Sequence, residues 1–178
     1  MSGSGGPDLL TRARAGDKSA FEDLLRPVIV PAAKLAFGML HDRAAAEDAV
    51  QEAAIKAWRR LGNVRDGAEF RPWFLGIVVN ECRSVRRSRW WSVLRGDQVS
   101  PGAAPSKDET TARGLDVKRA LMRIPNDQRA AILLHFYLDL PLDEVAATLG
   151  ISIAGVKSRI NRGLKRMRPA LKSYEVFV

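Results

Sequence analysis

PLDEVAATLGISIAGVKSRINRGLKRMRPALK, residues 141–172, is the stretch that decides the fold of this chain. Its first part predicts a short amphipathic helix, because the apolar residues recur at the spacing of one helix face. These residues are Leu142, Val145, Ala146 and Leu149. Gly150 predicts the end of this helix, since glycine adopts the left-handed conformation without steric strain. Ser152 is placed to accept the first free N–H groups of a second helix.

The second helix is predicted to be apolar on one face and basic on the other. Its apolar stripe contains Val156, Ile160, Leu164 and Met167. The side chains that point away from this stripe, or flank it, are Lys157, Ser158, Arg159, Arg162 and Lys165. Residues 157–172 include seven Lys or Arg and no Asp or Glu. A solvated face normally mixes both signs, so the pattern favours a helix-turn-helix that binds the DNA major groove over a hairpin with a solvated basic face.

The length, charge and hydrophobic content of the chain limit what kind of protein it can be. The chain has 178 residues, 46% of them hydrophobic, and a formal net charge of +9. This size allows one or two globular domains, and the charge favours a polyanionic partner such as nucleic acid. No apolar run approaches the ~20 residues that span a bilayer. The first residues, MSGSGGPD, do not resemble a signal peptide. We therefore expect a cytoplasmic protein that does not insert into membranes.

The sequence contains few residues that could form a metal centre or a catalytic site. Cys82 is the only cysteine, which excludes an intrachain disulfide and fits a reducing compartment. His41 and His135 are far apart and have no ligand partner at zinc spacing. Catalytic and phosphate-binding motifs such as GxSxG and HExxH are absent. An enzyme is therefore possible but unsupported by the sequence, and we expect neither a metal nor another cofactor.

The N-terminal part of the chain is helical by its periodicity. Asp17 is a plausible N-cap, and Pro27 and Pro31 should kink or split the second helical run. Residues 44–61 are rich in strong helix formers. Their inner stripe is predicted to be Ala46, Val50, Ala53 or Ala54, Ala57 and Leu61. A further helix should bury Phe70, Trp73, Phe74 and Ile77.

Two surfaces of this part remain open to interpretation from the residues alone. Asp48, Gln51 and Glu52 cluster on the outer face of the 44–61 helix, where a solvated surface is the favoured interpretation. Further along, five arginines are interleaved with Trp90 and Trp91. Exposed rings beside cations suit unstacked nucleic acid, whereas packing of the two rings into the core is the favoured alternative.

Four separated motifs give the chain a resemblance to a known family. They are GDKSAFEDLL at 16–25, AEDAVQEAAIKAW at 46–58, FRPWFLGIVVNECRSVRR at 70–87, and IPNDQRAAILLHFYLDLPLDEVAATLGISIAGVKSRINRGLKRMR at 124–168. Residues 8–171 resemble a bacterial RNA polymerase sigma factor of the extracytoplasmic function (ECF) group, the minimal sigma-70 type with regions 2 and 4 only. The order and spacing of the motifs make the joint match specific, although each motif alone is weak.

The resemblance implies an all-α fold with two small helical domains joined by a flexible linker. The expected organisation is a disordered N-terminus at 1–6, sigma region 2 at 7–93, the linker at 94–113, sigma region 4 as a four-helix domain at 114–173, and a C-terminal tail at 174–178. Three positions depart from the family pattern. Ala54 replaces an aromatic residue, Ser84 replaces an aspartate that is often present, and Pro141 stands where Ser or Thr commonly starts a helix.

The resemblance also implies partners. In the family the AEDxVQE helix docks on the clamp helices of the polymerase β′ subunit, so Asp48, Gln51 and Glu52 become expected contacts with core RNA polymerase. This reverses the interpretation of that face as merely solvated. The β flap of the polymerase, promoter DNA and an anti-sigma factor are further expected partners.

Two sets of residues are expected to contact the promoter. The loop at 63–69 and the helix at 70–87 match the parts that melt and read the minus-10 element, with Asn80 at an extruded base and Arg83, Arg86 and Arg87 at phosphates. The minus-35 element would be read by Lys157, Ser158, Arg159, Arg162 and Lys165. Two alternatives remain: a helix-turn-helix regulator that never engages polymerase, and a sigma mimic that sequesters an anti-sigma factor without binding DNA.

Overall fold

The computed structural model describes residues 6–64, 69–94 and 112–171. Within these ranges the chain is helical and contains no strand, which confirms the all-α class. The chain divides into two compact units, Met1–Val99 and Ser100–Val178. Nearly all of the predicted linker at 94–113 lies outside the described residues, as does the tail at 174–178. No helix in the described part is long and apolar enough to cross a membrane.

The N-terminal unit contains five α-helices and a short 3₁₀ turn in its described part. They are α1 (Gly6–Arg14), α2 (Lys18–Leu25), α3 (Ile29–Leu40), α4 (Arg43–Arg60), the 3₁₀ turn Leu61–Asn63 and α5 (Phe70–Leu94). Helix α4 packs against both α3 and α5, and α1 packs against α2. The long pair α4 and α5 therefore forms the framework that carries the functional side chains of this unit.

Aspartates start two of these helices. Asp17 accepts a hydrogen bond from the N–H of Ala20 at 3.1 Å, which confirms the predicted N-cap of α2. That backbone hydrogen bond, helped by Arg12, lowers the pKa of the Asp17 carboxyl. Asp42 caps α4 in the same way through the N–H of Ala45, at 3.0 Å. Each carboxylate satisfies a backbone donor that the first turn leaves unpaired.

The two prolines have different effects. Pro27 lies in the turn between α2 and α3, so the chain divides there as predicted. Pro31 lies in the first turn of α3, which begins at Ile29 and continues through it. The prediction that Pro31 interrupts the helix was wrong, because first-turn N–H groups have no partner within the helix and a missing one is tolerated.

The core of the N-terminal unit differs in part from the predicted stripes. Along α4, Ala53 is fully buried whereas Ala54 is half-buried, which decides between the two alternatives. On α5, Phe70 and Phe74 are buried and stack with their ring centroids 5.8 Å apart. Trp73 and Ile77 are only half-buried, so their placement in the core was wrong. The side chains of Trp90 and Trp91 lie outside the described residues.

The C-terminal unit contains four α-helices in its described part. They are α6 (Ala112–Arg123), α7 (Asn126–Ile132), which continues into a π-helical turn (Leu133–Tyr137), then α8 (Leu142–Leu149) and α9 (Ile153–Leu171). Helix α9 packs against α6, α7 and α8. It is therefore the element around which this unit is assembled.

The turn between α8 and α9 has the predicted geometry. Gly150 ends α8 in the left-handed conformation, with φ of 63°. The Ser152 hydroxyl accepts a hydrogen bond from the N–H of Gly155 at 3.1 Å, so Ser152 caps α9. Pro141 precedes α8 without a side-chain cap. The helix-turn-helix thus follows from residues within the stretch itself.

One position of the predicted apolar stripe on α9 was wrong. Val156, Ile160 and Met167 are buried, but Leu164 is 41% exposed. Gly163 takes the inner position instead, and a Cβ there would lie 2.6 Å from Cδ1 of Ile132 on α7. Any larger residue at this position would therefore force the buried Ile132 side chain to shift.

A buried arginine on α7 binds the backbone carbonyls at the C-terminus of α6. The Arg129 side chain is 0% exposed and donates hydrogen bonds to the carbonyls of Leu121, Met122 and Ile124, at 2.7, 2.8 and 3.2 Å. These carbonyls lie at and just beyond the last turn of α6, where helix carbonyls lack partners within the helix. Arg129 therefore ties α7 to the C-terminus of α6.

Candidate functional surfaces

The outer face of α4 is acidic and exposed. Asp48, Gln51 and Glu52 all lie on the surface, opposite the buried alanines of the same helix. The structure thus brings the three predicted polymerase-binding residues together on one solvent-facing side. Asp48 and Gln51 form no ion pair or hydrogen bond to another side chain in the described part of the chain, so both polar groups face solvent.

A groove of about 560 Å³ lies between α4 and α5, beside this acidic face. Its lining residues are Asp48, Ala49, Gln51, Glu52, Ile55, Glu81, Ser84, Val85 and Ser88. We refer to this feature as the α4–α5 groove. It joins the predicted polymerase-binding residues to a face of α5 on which no individual contact residue was predicted.

Lys56 bridges the two helices that form the groove. Its Nζ lies 2.6 Å from Oε2 of Glu81 on α5 and 3.3 Å from Oε1 of Glu52 on α4. The hydrogen bond to Glu81 is the main reason why the pKa of Lys56 is raised. The ammonium group is thus held in its charged form, and its interaction with the carboxylates is lost only as the pH rises through that raised pKa. Sequence reasoning missed this bridge because its partners are 25 residues apart.

A second face of α5 is basic. Asn80 and Arg87 are exposed and Arg83 is half-buried, and helical periodicity places all three on one side of the helix. The side-chain amide oxygen Oδ1 of Asn80 accepts a hydrogen bond from Nη1 of Arg83 at 3.3 Å. Two guanidinium groups and an amide therefore face the same direction, as contact with a phosphate backbone requires.

Arg86 does not belong to this basic face. It lies roughly 90° around the helix from the other three residues and is half-buried. Burial lowers the pKa of its guanidinium, and its Nη1 atom has no hydrogen-bond partner in the described structure. The expected grouping of Arg86 with Arg83 and Arg87 is therefore not seen in this arrangement.

The exposed face of α9 carries most of the predicted DNA-binding residues. Lys157, Ser158, Arg162 and Lys165 are all exposed on this helix. Nε of Arg162 donates to the backbone carbonyl of Ser158 at 3.3 Å, so the guanidinium lies along the helix surface. Within the described part of the chain, these four side chains form no ion pair with the carboxylates of α7 and α8. The face therefore presents cations and a hydroxyl to solvent.

Arg159 has a different environment from its neighbours. It is half-buried, and its Nε lies 3.6 Å from Oδ2 of Asp127 on α7. Farther along α9, Arg166 donates to the Gln128 amide oxygen at 3.2 Å. These two arginines thus connect α9 to α7 at the edge of the exposed face.

Cys82 lies on the buried side of α5, in the core of the N-terminal unit. It is 0% exposed, and burial raises the pKa of its thiol to about 12. A neutral buried thiol is a poor nucleophile and a poor metal ligand. In the described ranges, no three His, Cys, Asp or Glu side chains form a group that could hold a metal ion.

Comparison with known proteins matches both units to one family. Residues 21–92 match the family model of sigma-70 region 2, and residues 115–167 match that of sigma-70 region 4. The ECF RNA polymerase sigma factor SigM of Mycobacterium tuberculosis is 34% identical over 161 residues, which cover 90% of this chain and 81% of that protein. The chain belongs to the ECF group of RNA polymerase sigma factors.

Two further comparisons are informative. The probable RNA polymerase sigma factor RfaY of Xanthomonas campestris is 30% identical over 171 residues, covering 91% of this chain but only 43% of the relative. The sigma factor RpoE of Bartonella quintana, solved in complex with the anti-sigma factor NepR, superposes with a TM-score of 0.69 at 29% identity. That match covers 85% of this chain and 96% of the solved one.

Proposed function

We propose that this protein is a dissociable promoter-specificity subunit of RNA polymerase. It binds core polymerase through the N-terminal unit, places the C-terminal unit on the minus-35 duplex, and uses the N-terminal unit to hold the melted minus-10 element. The observation that carries this proposal is the exposure of an acidic surface on α4 and a basic surface on α9, in a chain that belongs to the ECF sigma group.

The acidic outer face of α4 supports contact with polymerase. Asp48 and Gln51 are exposed without competing side-chain partners in the described structure, and Glu52 shares Lys56 with Glu81. Carboxylates held on a rigid helix suit a cationic protein partner, because complementary charge steers association and fixes the orientation of the partners. The β′ clamp helices are the partner proposed here, with the β flap as a second polymerase contact.

The basic face of α5 supports contact with the melted minus-10 strand. Asn80 offers both a donor and an acceptor to an unstacked base, while Arg83 and Arg87 lie beside it for the flanking phosphates. Arg86 is the weakest member of the proposed set because it is half-buried and faces another direction. We retain it only as a candidate that would have to change its side-chain conformation.

The exposed face of α9 supports readout of the minus-35 duplex. Recognition helices contact base edges in the major groove, and arginine pairs well with guanine there. We assign base contact to Ser158 and Arg162 and phosphate contact to Lys157 and Lys165. Arg159 is available to phosphates only from the side, since it is ion-paired with Asp127.

The free energy for strand opening comes from binding the melted state in preference to the duplex. The subunit therefore requires no catalytic group, metal or other cofactor of its own. Its place of action is the cytoplasm, where the polymerase and the chromosome are. An anti-sigma factor is the proposed regulator, supported by the solved relative that is bound to one.

Reconstituted transcription tests this function against its two rivals. Core polymerase with this protein should start transcripts at defined promoter positions, whereas core alone should not. Specific DNA binding without start-specific transcription would instead identify a helix-turn-helix regulator. Tight binding to an anti-sigma factor without binding to core polymerase or DNA would identify a sigma mimic.

A further inference from the structure

The α4–α5 groove has a second wall that the proposed core-binding residues do not explain. Its first wall carries Asp48, Gln51, Glu52 and Ile55 on α4. The second wall carries Glu81, Ser84, Val85 and Ser88, which helical periodicity places on one side of α5. This side is roughly 120° from the face that carries Asn80, Arg83 and Arg87. Helix α5 thus presents one surface to the groove and another to the proposed nucleic-acid site.

The charge of the groove is negative. Asp48, Glu52 and Glu81 are its three carboxylates, and Lys56 bridges the last two. One ammonium group cannot neutralise three carboxylates, so an excess of negative charge remains along the groove. A cationic occupant would complement this charge, whereas nucleic acid would be repelled.

The shape of the groove suits side chains from a protein. Ile55 is 40% exposed and Val85 is half-buried, so the groove offers apolar surface from both walls. Ser84 and Ser88, one helical turn apart on the α5 wall, are small and exposed. They leave open the space of about 560 Å³ that larger residues would fill.

We propose that Glu81, Ser84, Val85 and Ser88 form the second half of the polymerase-binding site, and that the groove receives a cationic amphipathic helix of core polymerase. Basic side chains of that helix meet the three carboxylates, and an apolar side chain packs between Ile55 and Val85. Helices commonly bind protein grooves by this combination of apolar anchors and flanking charges. The inference rests on the proposed function and extends its polymerase contact from α4 to α5.

Opposite charges placed at Ser88 test the sign of the occupant. Ser88 is exposed, so Ser88→Arg and Ser88→Glu add different charges without displacing a core group. We expect Ser88→Arg to weaken the affinity of this chain for core polymerase by roughly tenfold, and Ser88→Glu to increase it. The difference between the two should shrink as salt is raised. Equal affinities of both variants and wild type would overturn the proposal.

Filling the groove tests the shape argument. Ser84→Trp should weaken binding to core polymerase by about tenfold or more, because the indole would occupy the space of the incoming helix. Ser19→Trp, at an exposed serine on α2, is the matched control and should bind as wild type does. Both variants should keep the wild-type melting temperature, since each replaced side chain is on the surface.

Asp48→Ala separates failure of this inference from failure of the proposed function. If Asp48→Ala weakens binding while Ser84→Trp and Ser88→Arg bind normally, the α5 wall is not part of the site and the inference is wrong. If Asp48→Ala also binds normally, the polymerase contact proposed for α4 is itself wrong. Weakened binding in all three variants supports both proposals.

Discussion

Gly163 lies where α9 packs tightly against α7. A Cβ added there would lie 2.6 Å from Cδ1 of Ile132 and 3.3 Å from Cβ of Gln128. We expect Gly163→Ala to destabilise the protein by about 1–2 kcal/mol, because the cost of overpacking exceeds the gain in helix propensity. Urea unfolding followed by circular dichroism measures this difference.

Gly155→Ala on the same helix is the control for this prediction. A Cβ at Gly155 meets its nearest neighbour at 3.4 Å, close to ordinary contact distance. The free energy of unfolding of the Gly155→Ala variant should be unchanged or increased by up to about 1 kcal/mol. If the two variants unfold at the same urea concentration, the close approach of α7 and α9 is not as described.

Cys82 tests how α5 packs into the core of the N-terminal unit. Burial raises its thiol pKa from 9.0 to about 12, so the folded protein should contain almost no thiolate at pH 9. Because thiolate is the reactive form, we expect a disulfide reagent to label Cys82 only after denaturant unfolds the chain. Rapid labelling of the native protein would contradict this burial.

The raised pKa of the Cys82 thiol also predicts that the free energy of unfolding falls as the pH rises above 9, since only the unfolded chain then loses the proton.

At the scale of elements, Arg129 holds α6 and α7 together. Arg129→Met would leave three carbonyls near the end of α6 without their donor. Unsatisfied buried groups cost about 1–3 kcal/mol each, so we expect a loss of about 3 kcal/mol or more in the C-terminal unit. Arg123→Met, at an exposed arginine of α6, should change stability little. Similar melting temperatures for the two variants would show that Arg129 is not a structural cap.

The elements were predictable where their causes are local. Asp17, Gly150 and Ser152 act on residues within four positions of themselves, and the sequence identified all three. Leu164 was misplaced because periodicity alone does not reveal which neighbour lies across the interface. There the close approach of α7 selects Gly163 for the inner position.

Features that join distant residues could not be predicted in this way. Arg129 looks like a surface charge in the sequence, and its burial depends on how α6 ends against α7. The bridge from Lys56 to Glu81 and the groove beside it exist only once α4 and α5 are packed. The acidic and basic surfaces were predicted because each lies on one helix, whereas Arg86 lies to the side of its expected group.

At the scale of the whole molecule, the proposed polymerase contact and the proposed minus-35 contact lie on different helices and can be tested separately. Asp48→Ala combined with Gln51→Ala should weaken binding to core polymerase by roughly tenfold, and its transcription should recover at high core concentration. Arg162→Ala should bind core normally, yet its transcription should stay low at any core concentration, because the lost contact is to DNA. Titrating core polymerase into a transcription assay distinguishes these two patterns.

Lys34→Ala, at an exposed position on α3, is the control for both variants and should behave as wild type does. If both test variants lose only thermal stability and neither loses a specific partner, the assignment of the two surfaces is wrong.

The central claim is that this chain directs core polymerase to start transcription at specific promoters. The most direct measurement is to sequence the 5′ ends of transcripts made on genomic DNA by core polymerase with and without the purified protein. We predict discrete start sites that depend on the protein and share upstream sequences at the minus-35 and minus-10 positions. Identical 5′ ends with and without the protein, from a preparation that is folded and mixed with active core, would contradict the account.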